Sequence, residues 1–235
     1  ASAPLNAALN VATWRDIFFV LSGLTVAVSA WLYFSVPDKP GSQHPETLSV
    51  QLAGVRQVLV SRHFWRFAPL GFAQIGGFMA VQSLWSSAWL MNVNGHTRSL
   101  AADHLAAMSM AMVVAYILIG LLATWLARRG IAPIYLLCVG MVMSLLVLLL
   151  IITQAIDRHY VLWMAFGVFS SFGTLAYSQM SAGFPLALSG RANSTFNLMV
   201  FLGAFGLQWG MGVLIEMLQA SGLSTEIAHR NAFAV

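Results

Sequence analysis

Residues 37–66 read PDKPGSQHPETLSVQLAGVRQVLVSRHFWR and decide how the rest of the chain is read. They hold four of the eleven Lys and Arg residues, Lys39, Arg56, Arg62 and Arg66, against two carboxylates, Asp38 and Glu46. Pro37, Pro40 and Pro45 open the stretch, and long uncharged runs lie on either side of it. It reads as a cytoplasmic linker between membrane-embedded parts. Within it Leu48, Leu52, Val55 and Leu59 recur at helical spacing. Two placements fit such a helix: flat on the cytoplasmic membrane surface, or solvated and packed on its own protein.

Composition explains the runs. Hydrophobic residues make up 59% of the chain, charged residues 8%, and the mean hydropathy is +0.80. A soluble domain carries roughly a quarter charged residues, so lipid is the solvent for most of this chain. The formal charge of +4 is spread thinly and forms no patch for nucleic acid. The single cysteine, Cys138, lies in an apolar run and supports neither a disulfide framework nor a metal cluster.

Uncharged runs cover 17–37, 67–97, 104–127, 130–156, 159–190 and 192–215. About 20 apolar residues at 1.5 Å each cross a hydrocarbon core of about 30 Å, so each run predicts one span. Helices are expected near 14–36, 67–91, 104–127, 134–156, 160–182 and 193–218, giving an all-α polytopic bundle of six membrane spans. The runs lack the alternation of a lipid-facing barrel. Seven basic residues fall on the side of the linker, Arg128, Arg129 and Arg191, and four on the side of Arg15, Arg98, Arg158 and Arg230. The positive-inside rule therefore places the linker in the cytoplasm.

Candidate functional residues form stripes. On the second span Gln74, Phe78, Gln82, Trp85 and Trp89 fall within about 80° of one another at 100° per residue, which fits either a polar cavity wall or interhelical glue with interfacial aromatics. On the fifth, Ser170, Thr174, Tyr177 and Ser181 share a face, and Pro185 should loosen or end that helix. On the sixth, Asn193, Asn197 and Gln208 oppose Gly203, Gly206 and Gly210, an amide face for solute and a glycine face for packing. Glu216 lies about 35 Å along that helix, at the outer interface, where a proton-coupling role is the less favoured reading. His104 reads as an interfacial residue. No H-E-x-x-H, G-x-S-x-G or phosphate-binding glycine loop occurs, so neither an enzyme nor an ATP hydrolase is expected.

The order of features resembles the major facilitator superfamily of secondary transporters. Trp14-Arg15-Asp16-Ile17-Phe18-Phe19, leading to Val36-Pro37-Asp38, is similar to that family's sixth helix, and the basic linker to its central loop. Gly120-Leu121-Leu122-Ala123-Thr124-Trp125-Leu126-Ala127-Arg128-Arg129-Gly130 resembles its short glycine and basic loop motif, with Thr124 and Trp125 where Asp and Arg would be favoured. Phe184-Pro185, Gly190-Arg191-Ala192 and Asn197 resemble the loop between helices ten and eleven.

The resemblance implies a fragment spanning roughly the sixth to eleventh helices: 1–36 the last helix of the N-terminal half, 37–66 the cytoplasmic linker, and 67–235 an incomplete C-terminal half. It implies a small-molecule solute, a coupling proton or ion where transport is coupled, no cofactor, and the remainder of the same transporter as partner, in a lipid bilayer expected to be a bacterial inner membrane. Gln74, Gln82, Trp85, Thr174, Tyr177, Asn197 and Gln208 are the cavity candidates, and Gly120, Arg128, Arg129 and Gly130 the loop motif. A non-catalytic subunit of a larger transport or assembly complex is the alternative.

A Gln57→Cys variant tests the orientation: a membrane-impermeant maleimide should label it from the cytoplasmic side, and labelling from outside alone would reverse the topology.

Overall fold

The computed structural model describes residue 8 and residues 11–36 and 47–234. The proline-rich start of the linker, with Lys39, Asp38 and Glu46, lies outside the described residues. The chain divides into two compact units, Ala1–Leu52 and Ala53–Val235.

The first unit carries helix α1, Trp14–Ser35. Its start is fixed by a reciprocal cap. The Asp16 amide donates to Thr13 Oγ1 at 3.3 Å, and the Thr13 amide donates to Asp16 Oδ2 at 2.9 Å. Farther along, Thr25 and Ser29 return their hydroxyls to the carbonyls of Leu21 and Thr25, which hides polar atoms inside an apolar helix.

Helix α2, Leu48–Val60, runs across the boundary between the units. In the second unit it packs on its own protein through Gly54 and Val58, with the Arg191 side chain lying over Gly54. The predicted leucine stripe is not the packing face, since Leu48 and Leu52 are exposed.

Helix α3 covers 62–92 and is wound unevenly. Ser61 caps it by accepting the His63 amide at 3.2 Å. Pro69 lies inside the first α-helical piece and has no amide to donate; directly after it, Gly71–Gly76 is π-helical. A second π-helical piece follows at Val81–Trp85, where Ser86 Oγ donates back to the Gln82 carbonyl. Each π turn accommodates one residue more than an α turn, so residues beyond it are rotated by about 100°.

Helices α4 (Arg98–Arg128), α5 (Pro133–Thr153), α6 (His159–Ser181) and α7 (Leu186–Ala220) complete the predicted spans, and a short α8 follows at Thr225–Ala234. A 3-10 turn at Ser171–Thr174 tightens α6. By length and apolarity α1, α4, α5, α6 and α7 can each cross a bilayer. The expected sixth span corresponds to α3, whose two π pieces divide it into shorter helical segments. The observed fold is the all-α bundle read from the sequence.

Several helix boundaries differ from the sequence reading. Helices α4 and α7 begin at Arg98 and Leu186, before their apolar runs, because Thr97 caps α4 by accepting the Leu100 amide and Pro185 opens α7. The expected loop at 184–192 is therefore mostly the first turns of α7, and Pro185 starts a helix.

The second unit has two main apolar cores. Val58, Phe64, Leu137, Met180, Phe196 and Val200 fill the end near Arg191; Trp89, Leu90, Met108, Trp163, Phe166 and Phe233 fill the opposite end. Trp89 is fully buried beneath Phe233 of α8, with ring centroids 4.5 Å apart, and does not sit on an interfacial surface. Arg230 fastens α8 by donating to the Ile152 carbonyl at 3.2 Å.

Between the cores α3 and α7 cross at backbone contact. A Cβ on Gly76 would lie 2.6 Å from the Val200 carbonyl oxygen, and one on Gly203 would collide with the Phe72 carbonyl. The glycine face of α7 thus acts through Gly203. Gly210 has no neighbour within 4 Å of an added Cβ, and Gly206 meets only the Phe72 ring edge at 3.8 Å. A Gly203→Ala variant should lose about 1–3 kcal/mol of stability, measured by denaturant unfolding in detergent, from forced overpacking. Gly210→Ala should be neutral or gain up to about 1 kcal/mol from helix propensity.

Candidate functional site

The candidate residues do not form one wall. The π turns divide the α3 stripe: Gln74 faces α5, Gln82 faces α4, Trp85 faces α7, and Phe78 and Trp89 enter the apolar core. Gln82 Nε2 reaches the Met112 sulfur at 3.4 Å. Thr174 is exposed and donates its hydroxyl to the Ser171 carbonyl at 2.9 Å.

The best-formed polar contact among the candidates joins α6 to α7. The Tyr177 hydroxyl donates to Asn197 Oδ1 at 2.7 Å, while the Tyr177 ring stands edge-on to the buried Phe196 ring with centroids 4.9 Å apart. The phenol's proton is thereby committed, and the phenol lone pairs and Asn197 Nδ2 remain for another partner. One turn before Asn197, the Asn193 Oδ1 atom is buried without a hydrogen-bond partner.

A cavity of about 450 Å³ opens beside Gln74, between α3, α5, α6 and α7, with α8 at one end. Gln74 Nε2 donates to Ser144 Oγ at 3.4 Å, and Ser144 donates to the Met141 carbonyl at 2.8 Å. Gln74 Oε1 and Ser170 Oγ are buried and unpartnered. An unmade hydrogen bond on a buried polar atom costs roughly 1–3 kcal/mol, so these atoms suit water or a polar solute. Ser170 belongs to the polar face read on α6. Ser144 escaped the sequence reading; its signal was a lone hydroxyl in the otherwise apolar run MVMSLLVLLL.

Trp85 and Gln208 meet in a second cleft of about 490 Å³, with Leu84, Phe205, Trp209, Gly212, Val213 and Glu216. The Trp85 indole donates to the Gln208 backbone carbonyl at 3.1 Å, which fixes the ring across the gap between α3 and α7.

At the basic end the loop motif closes α4. Gly130 has φ of 79°, in the left-handed region that favours glycine, and its amide donates to the Ala127 carbonyl at 3.0 Å. Arg129 lies 4.0 Å over the Trp125 ring. Thr124 Oγ1 donates to the Gly120 carbonyl, and Arg128 borders a shallow depression with Pro133 and Leu175. Among the described residues neither arginine has a carboxylate within ion-pair distance.

Three imidazoles gather at the opposite end. His96 lies 4.8 Å from His104 and 5.5 Å from His159, ring to ring, and Tyr160 stacks on His104 at 3.6 Å. His104 is buried here, contrary to the interfacial placement read from sequence. Burial, and then the neighbouring imidazoles of His104 and His159, hold His96 below the usual imidazole range. Among the described residues no group of three His, Cys, Asp or Glu side chains could hold a metal ion.

Compared with models of protein families, residues 1–207 match the Major Facilitator Superfamily. The match covers most of the chain, and the protein belongs to this family of membrane transporters. Comparison with curated proteins and with solved structures gives no match. The family consists of transporters and not enzymes, and its members move small solutes, sometimes coupled to ions. With its apolar helices, the chain is an integral membrane protein.

Tyr177→Phe should cost about 0.5–1.5 kcal/mol in denaturant unfolding, since it keeps the contact with Phe196 and removes only the bond to Asn197. A loss no larger than the error of a Tyr116→Phe control would show that this bond carries no weight.

Proposed function

We propose that the chain is part of a secondary active transporter that moves a small solute across a bacterial inner membrane by alternating access. Residues 1–36 supply the last helix of the N-terminal half, 37–66 the cytoplasmic linker, and 67–235 one wall of the solute path. The observation that carries this reading is the family match over 1–207. It is supported by hydrogen-bonding side chains on three long helices, Gln74, Tyr177 and Asn197, with donors or acceptors left over.

In this reading one half rocks against the other around the solute, which sits near mid-membrane. The solute accepts from Asn197 Nδ2 and donates to the Tyr177 oxygen or to Gln74 Oε1. Those contacts replace hydration and set which solutes are carried. Gln82, Trp85, Thr174 and Gln208 belong to the same path at other depths or in other states. Gly120, Arg128, Arg129 and Gly130 shape the cytoplasmic turn between α4 and α5. Coupling to a proton or another ion depends on acidic groups in the other half.

Proteoliposomes containing the full-length protein provide the test, with a panel of labelled sugars, amino acids and amines. For the solute that accumulates, Asn197→Ala and Gln208→Ala should each lower uptake efficiency about tenfold, as expected when a polar contact of about 1.4 kcal/mol is lost. Unchanged uptake kinetics in both variants would remove the amide face from the solute path.

A further inference from the structure

The cleft between α3 and α7 has a chemistry that the transport reading does not use. Its floor is the Trp85 indole, held by the hydrogen bond to the Gln208 carbonyl. The ring edge runs past Gly212, where an added Cβ would already lie in contact at 3.5 Å, so the absence of a side chain there keeps the cleft open beside the indole. Two further rings, Phe205 and Trp209, line it and are 68% and 74% exposed, which leaves their faces accessible. The same cleft contains Glu216, the only carboxylate on the 35-residue helix α7. Other acidic side chains in the described helices have different surroundings: Asp16 is held by Thr13, and Glu226 pairs with Arg230 at 3.7 Å. Among the described residues Glu216 has no cationic partner, and the Gln208 side-chain amide makes no hydrogen bond.

Exposed aromatic rings alone are ordinary on a lipid-facing helix. A carboxylate among them is not, because it needs either bulk water or a cation. The faces of indole and phenyl rings attract cations through their quadrupole, and a substituted ammonium group satisfies rings and carboxylate at once. A metal ion or ammonium itself would leave the rings unused. A neutral sugar would leave the charge unmatched.

We propose that the cleft of Trp85, Phe205, Gln208, Trp209 and Glu216 binds a substituted ammonium group, which makes organic ammonium compounds the solute class of this transporter. The assignment of a solute class rests on the transport reading above; the binding site itself does not. The rings enclose the alkyl substituents, Glu216 supplies the counter-charge, and the Gln208 amide accepts or donates a hydrogen bond from the rest of the molecule.

The test is equilibrium binding to the full-length protein in phosphatidylglycerol nanodiscs by calorimetry, with choline and its uncharged carbon counterpart 3,3-dimethylbutan-1-ol as probes. Choline should bind about tenfold more tightly than the alcohol. Glu216→Gln should weaken choline about tenfold and leave the alcohol unchanged, and Trp209→Leu should weaken choline several-fold. Asp157→Asn, in a loop outside the cleft, should change neither. Equal affinity for the two probes, or an equal effect of Glu216→Gln and Asp157→Asn, overturns the proposal. Adding phosphatidylcholine to the nanodiscs separates two sources of the same chemistry: competition with choline assigns the site to a lipid headgroup and removes the solute-class assignment, and unchanged choline affinity assigns it to a soluble compound. Because binding is read without flux, failure here leaves the proteoliposome result standing, and failure of transport leaves the binding result standing.

Discussion

The second unit depends on the contact of backbone with backbone where α3 crosses α7. Gly76 and Gly203 remove side chains from both helices at the crossing, so the axes approach more closely than any larger pair would allow. In lipid, helices gain little from apolar burial against one another, because the acyl chains are equally apolar. Close packing and interhelical hydrogen bonds must supply the specificity. The crossing fixes the position of α7, and with it Phe196 against Gly71, Asn197 against Tyr177, and the Gln208 carbonyl against Trp85. The polar contacts of this region follow from one steric fact.

The π-helical turns of α3 decide which way its side chains face. A straight α-helix with this sequence would present Gln74, Gln82 and Trp85 together. The observed winding directs them to α5, α4 and α7 respectively. Polar side chains of a single helix thereby reach three different neighbours, and each finds a partner in an apolar surrounding where an unpaired amide would be costly. The arrangement trades one continuous polar stripe for several local contacts.

Much of the architecture was legible because lipid imposes a coarse rule: twenty or so apolar residues become a helix. The charged residues, however, mark where the apolar runs stop and not where helices stop. Thr97 and Pro185 carry α4 and α7 beyond the predicted ends, and neither residue disturbs the hydropathy. The short helix α8 is polar enough to pass for a tail, so its cover over Trp89 could not be read from composition. The candidate residues were legible as polar side chains in apolar helices, and the Tyr177–Asn197 contact lies among them. Their division into separate clusters was hidden, because the angles were computed at a constant 100° per residue along a helix that does not keep that pitch. Ser144 was passed over because one hydroxyl among leucines forms no pattern on its own helix; its meaning comes from Gln74 on another.

The uneven winding of α3 also bears on how such a chain tolerates change in length. A π turn holds one residue beyond the α repeat, so deleting a single residue within 71–76 or 81–85 lets that stretch relax to plain α-helix without breaking it. The helix would remain, but everything past the deletion would turn by about 100° and shift by about 1.5 Å. Trp85 would leave its carbonyl, and Trp89 would leave its place beneath Phe233. In this helix the spacing of residues, more than their identity, holds the information that an alteration can least afford to lose.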